Sequence, residues 1–193
     1  MNTKELFRKA VSLDKDQAFN PDISVMAILP GGGDQHWRLS KAPWLELANE
    51  VWVAGTRDDP HYDCEQLLDL LERKGKRPPV RHQLDGWAAN SPEQAVWVAK
   101  LLEMSVPSTR LIISTANYHG PRWILTFIKT WLKRGHTSRP VIRFVGTDGP
   151  INESITNVNQ TLEQEIVAAK SYQAKGDVAN EKDFAYFKAL PFR

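Results

Sequence analysis

His119 and Arg122 stand three residues apart, immediately before an amphipathic run, Trp123-Ile124-Leu125-Thr126-Phe127-Ile128-Lys129-Thr130-Trp131-Leu132. Histidine transfers protons near neutral pH, and arginine presents a planar fork suited to phosphate or carboxylate. At helical spacing the two side chains share one face. A cation at a helix N-terminus is disfavoured by the dipole, though by less than ~1 kcal/mol. A cation kept there therefore points to an anion to meet; the plainer alternative is a solvated helix start. The run Leu111-Ile112-Ile113 leads into Ser114 and Thr115, hydroxyl residues at the end of an apolar strand and within reach of the same turn.

A second candidate is Gly31-Gly32-Gly33, which follows the apolar run Ser24-Val25-Met26-Ala27-Ile28-Leu29. Glycines let backbone N–H groups approach an anion closely. The spacing is neither a dinucleotide fingerprint, since Trp37 and Arg38 occupy the place of a later glycine, nor a Walker loop. A flexible turn is the alternative. The third candidate is the segment from Asp85 to Ala95. Ser91 is expected as N-cap, Pro92 at the first helical position and Gln94 as its capping-box partner. Glu93 suits the first turn on dipole grounds, and Asn90 and Asp85 are turn-formers. The cap accounts for Ser91, Pro92 and Gln94 but not for Asn90 and Asp85, which turn formation explains instead.

Other chemistry finds little support. His36, His61, His82 and His136 have no HxxxH spacing, so no zinc site is expected. No G-x-S-x-G elbow occurs. Cys64 is the single cysteine, which excludes an internal disulfide. Trp37 and Trp87 lie in candidate site loops where a ring could stack on a base or sugar; the other tryptophans fit a core.

The 25 Lys+Arg and 23 Asp+Glu nearly balance, which gives no general case for nucleic-acid or membrane-surface partners. The N-terminal residues lack the apolar run of a signal peptide, and no stretch approaches the ~20 apolar residues of a membrane span. A soluble, cytoplasmic protein is the expectation, with oligomeric state left open.

The elements that would position these residues alternate. Strands are expected at 24–29, 51–54, 80–84, 110–114 and 139–145, and helices at 35–49, 64–73, 91–104, 122–134 and 155–175. Short helices are expected within 1–23, and an apolar cluster (Phe184, Tyr186, Phe187, Leu190) in 177–193. This alternation predicts one α/β domain over 1–193, three-layered and Rossmann-like, with about five parallel strands and helices on both faces. Its core would span 24–146, with an N-terminal helical extension (1–23) and a C-terminal helix and tail (151–193). In strand order 3-2-1-4-5 the first and fourth strands are neighbours, and ligands bind outside their C-terminal ends. Gly31–Gly33 would then face Ser114, Thr115, His119 and Arg122.

Taken together, these residues resemble the ElyC/SanA/YdcF family. That family has a first strand ending in Gly-Gly, a later Arg, a segment E-x-x-S-x-N-T-x-E-N-A, and a strand leading into T-S-x-x-H-x-x-R-A. Here the middle segment is Asp85-Gly86-Trp87-Ala88-Ala89-Asn90-Ser91-Pro92-Glu93-Gln94-Ala95 and the later one Ser114-Thr115-Ala116-Asn117-Tyr118-His119-Gly120-Pro121-Arg122-Trp123. Arg38 matches the early arginine. Asp85, Ala88, Ser91 and Gln94 depart from the pattern, and Ala88 removes a polar contact. The resemblance covers about 24–146 and resembles the soluble, cytoplasmic branch. It implies that Asn90, Glu93, His119 and Arg122 are site residues, without fixing a reaction.

Three functions are compatible with these residues. The first is binding of an anionic, phosphate- or nucleoside-containing small molecule through Gly31, Gly32, Gly33, Arg38, Asn90, Ser91, Ser114, Thr115 and Arg122, with S-adenosylmethionine a candidate cofactor. The second is a hydrolase or transferase acting on a phosphate ester, with His119 as acid/base, Glu93 as a second acid/base and Arg122 as charge clamp. The third is a protein-interaction scaffold built on the Phe184–Phe192 tail. Loss of Arg122 is expected to weaken a ligand and leave stability unchanged or raised.

Overall fold

The computed structural model describes residues 2–18, 20–28, 48–54, 72–73, 81–85, 88, 90–147 and 158–193. The strands are β1 (Ser24–Ile28), β2 (Glu50–Ala54), β3 (Arg81–Asp85), β4 (Arg110–Ala116) and β5 (Ile142–Thr147). All pair in parallel, in the order β3-β2-β1-β4-β5. The described helices that run at least two turns are α1 (Thr3–Val11), α2 (Ser91–Met104), α3 (Gly120–Lys133), α4 (Val158–Ala174) and α5 (Glu181–Ala189). The chain is thus α/β, a parallel sheet flanked by helices, consistent with a Rossmann-like fold. The helices expected at 35–49 and 64–73 fall outside the described residues except for Glu72 and Arg73, which are helical, and Ala48 and Asn49, which are not.

The apolar run of β1 lies mid-sheet and is buried throughout. Val25 and Ala27 join Trp52, Leu111, Ile113 and Ile142 in the core beneath the helices. Met26, Ile28, Val51, Val53 and Ile112, on the alternate face, are equally buried. Continuous burial of both faces is why these strands read as unbroken apolar runs rather than as alternations. β3 is an edge strand, as its weaker pattern predicts.

α3 is the central helix of the core. Trp123, Phe127 and Trp131 are four residues apart and stack in sequence, with ring centroids 5.8 and 5.7 Å apart. The helix starts at Gly120 rather than 122, which makes His119 its N-cap. Glycine at 120 is favoured by packing, because a Cβ there would run into the Phe144 ring of β5.

The termini close the same side. α5 is opened by a capping box between Asn180 and Asp183, and it buries Phe184 and Phe187. Most of the tail's apolar cluster is therefore spent on the core, while Tyr186 and Phe192 stay 60% and 45% exposed. Arg139 holds Asp14 through two bonds of 2.6 and 2.9 Å, and its backbone pairs with Pro191 and Arg193. One buried ion pair thus ties the N-terminal extension to the tail. No described helix is long and apolar enough to cross a membrane.

Candidate functional site

In a parallel sheet each strand delivers its following helix N-terminus to the strand C-terminal edge. α2 follows β3 and α3 follows β4, so Ser91 and His119 both arrive at that edge. α2 begins one residue earlier in role than expected. Asn90, not Ser91, is the N-cap, accepting from Glu93 N–H at 3.0 Å. Its amide Nδ2 donates to Glu93 Oε1 at 3.0 Å. Asn90 and Glu93 therefore complete each other as a cap, on an exposed surface. Ser91 is released from capping and its hydroxyl points elsewhere.

That hydroxyl lies 3.5 Å from His119 Nε2 and 3.5 Å from Arg122 Nη1. His119 Nδ1 lies 3.4 Å from Glu165 Oε1 and 3.1 Å from Arg122 Nη2. Glu165, from α4, binds Arg122 through Nε and through Nη2, the latter at 3.4 Å. The Tyr172 ring, one face of α4 further on, lies 5.6 Å from the Arg122 guanidinium carbon. Four side chains from three helices thus form one connected, mostly buried cluster.

Arg122 is not a lone cation at a helix start, because Glu165 neutralises it with both side chains only 13% and 14% exposed. Glu93 is held in the α2 cap, and Glu165 is the carboxylate that meets His119. Burial pushes the Glu165 carboxyl up, but hydrogen bonds from His119 and Arg122 outweigh it and hold the group below the usual carboxylate range. Glu165 therefore stays an ionised acceptor.

The sequence carried a signal for Glu165. Leu162, Ile166, Ala169 and Tyr172 mark the inward face of the helix, and position 165 lies on that face, three after 162 and four before 169. A carboxylate there must find partners. Gln94 differs from its expected capping role. Instead of completing a capping box it is buried, donating to the Ala54 carbonyl at 3.1 Å and accepting from Trp123 Nε1 at 3.2 Å. It locks the C-terminal end of β2, α2 and α3 together beneath the site.

Ser114 and Thr115 lie within β4, both buried. Ser114 pairs in register with Ile28, at the C-terminal end of β1, and its hydroxyl has no hydrogen-bond partner among the described residues. α3 also differs from its neighbours at its start: α1, α2 and α5 carry asparagine caps, whereas His119 supplies no side-chain cap. An uncapped first turn leaves donors suited to an anion. Gly31, Gly32, Gly33 and Arg38 lie outside the described residues, as do Trp37 and Trp87. Among the described residues no group of three or more His, Cys, Asp or Glu side chains could hold a metal ion.

The chain matches no protein-family model, no curated protein and no solved structure.

Proposed function

We propose that the chain binds an anionic, phosphate- or nucleoside-containing small molecule at the C-terminal edge of the sheet, beside β1 and β4. The observation that carries this reading is the convergence of Ser91, His119 and Arg122 at the uncapped N-terminus of α3. Glu165 engages Nε and Nη2 of Arg122, so Nη1, directed toward Ser91, is the arm that meets the anion. The Ser114 hydroxyl, buried and without a hydrogen-bond partner among the described residues, supports a polar ligand group nearby. On a three-layer Rossmann-like reading, Gly31–Gly33, Arg38, Asn90 and Thr115 complete the site, with S-adenosylmethionine one candidate. The resemblance to the cytoplasmic ElyC/SanA/YdcF branch supports the same location.

The test is mass spectrometry of small molecules that co-purify with the native chain and with R122M. A phosphorus-containing or nucleoside species retained by the first and lost from the second supports the reading. A species retained equally by both overturns it.

A second reading, hydrolysis or transfer at a phosphate ester, is favoured by one feature: the His119 ring lies between the Ser91 hydroxyl and the Glu165 carboxylate. His119 is its acid/base, with Glu165 rather than Glu93 as the carboxylate beside it. Turnover of p-nitrophenyl phosphate by the native chain, abolished in H119A, is the outcome it requires.

A further inference from the structure

We propose that Ser91 is a nucleophile that forms a covalent phosphoseryl intermediate, with His119 as its base and Glu165 as the carboxylate that positions the ring. The proposal rests on the phosphate-ester reading and assigns it a residue and a two-step course. An activated serine needs a base within hydrogen-bond reach, and that base needs a third group to orient it. Ser91 Oγ, His119 Nε2 and Nδ1, and Glu165 Oε1 supply this chain, at 3.5 and 3.4 Å. Such catalytic hydrogen bonds tighten on substrate binding.

The local fold explains why Ser91 is available. Asn90 takes over the cap of α2, so the Ser91 hydroxyl has no structural duty at the helix start. It sits in the first turn of a 14-residue helix, whose dipole favours negative charge developing on oxygen. Arg122 Nη1, which Glu165 does not engage, lies 3.5 Å from it and would face the oxygens of a phosphorus bound there.

The tautomer of His119 decides whether the relay runs. Arg122 only donates, so a bond from Nη2 to Nδ1 puts the ring proton on Nε2 and leaves no base for Ser91. A bond from Nδ1–H to Glu165 leaves Nε2 free to accept the Ser91 proton. An anionic substrate that draws the guanidinium toward itself relieves Nδ1 of Arg122 and selects the second arrangement. In the first step Oγ bonds to phosphorus, the bond to the leaving alkoxide breaks, and the Ser91 proton passes through Nε2 to that alcohol. In the second, water attacks phosphorus, its proton goes to Nε2 and then to Oγ, and inorganic phosphate leaves.

The experiment is labelling of the full chain with an alkyl fluorophosphonate, in which Oγ displaces fluoride, followed by peptide mass spectrometry. We expect one label, on Ser91, absent from S91A and reduced at least tenfold in rate in H119A. In E165Q the rate should fall at least tenfold with its pH profile displaced, while E165D recovers part of it. Melting temperatures of all four variants confirm that each is folded. A native chain that gains melting temperature from inorganic phosphate yet takes no label on Ser91 overturns the nucleophile and leaves the binding site standing. Labelling elsewhere, or at an unchanged rate in folded H119A, overturns it equally. Absence of both label and phosphate response overturns the nucleophile and the binding site together.

Discussion

Replacing Arg122 by Met removes the guanidinium and keeps the aliphatic stem. Glu165, with its side chain 14% exposed, is then left with the His119 ring at 3.4 Å. Removing one partner of a buried pair costs ~3–5 kcal/mol, and a single charge-assisted hydrogen bond contributes ~1.5–3 kcal/mol. The residual exposure lets water reach Glu165, so about 2–3 kcal/mol is expected for R122M. For a chain of this size that is a fall of roughly 4–12 °C in melting temperature, at ~2–4 °C per kcal/mol. The sign is opposite to that expected for an isolated cation at a helix start, whose removal costs nothing. Thermal denaturation followed by circular dichroism on native, R122M, E165Q and R122M/E165Q chains checks it. The double variant leaves no buried charge unpaired and should lose less than the sum of the singles by at least ~1 kcal/mol. A melting temperature for R122M within about 1 °C of native, or strict additivity, would refute the ion-pair argument.

Glu165 has a folded pKa below the usual carboxylate value of 4.5, so its contribution is complete above that pH and lost as pH falls through the folded value. Urea denaturation should therefore show a steeper loss of stability below pH 4.5 for the native chain than for E165Q. Glu103, drawn down to about 2 by Arg134 first and by His136, should add stability that fades between 4.5 and 2. The pair is surface-lying, so E103Q is expected to cost ~1 kcal/mol or less at neutral pH. D14A leaves Arg139, with a side chain 5% exposed, without its carboxylate and should cost ~3–5 kcal/mol in urea denaturation. G120A drives a methyl group into the Phe144 ring and should cost ~1–3 kcal/mol, with G120A/F144L losing less than the sum of its singles.

What could be read from the sequence was set by local pattern. The apolar run at Ser24–Ile28 and the Trp123–Phe127–Trp131 spacing carry their own period, and the structure places both as expected. The capping segment was legible as a helix start but not in its roles. Asn90, Ser91 and Gln94 are all competent at a cap, and only tertiary contacts assign them. Trp123 Nε1 and the Ala54 carbonyl claim Gln94, and the hydroxyl of Ser91 is drawn to His119 and Arg122. Glu165 is 43 residues from Arg122, and no local rule links the two. The Asp14–Arg139 pair, 125 residues apart, was hidden for the same reason.

The most direct test of the central claim is a crystal structure of the chain soaked with adenosine 5′-monophosphate. The account predicts the phosphate at the N-terminus of α3, with an oxygen ~3 Å from Arg122 Nη1 and the Ser91 hydroxyl alongside. A phosphate bound elsewhere on the molecule, with nothing beside Arg122 Nη1 and Ser91, would contradict it.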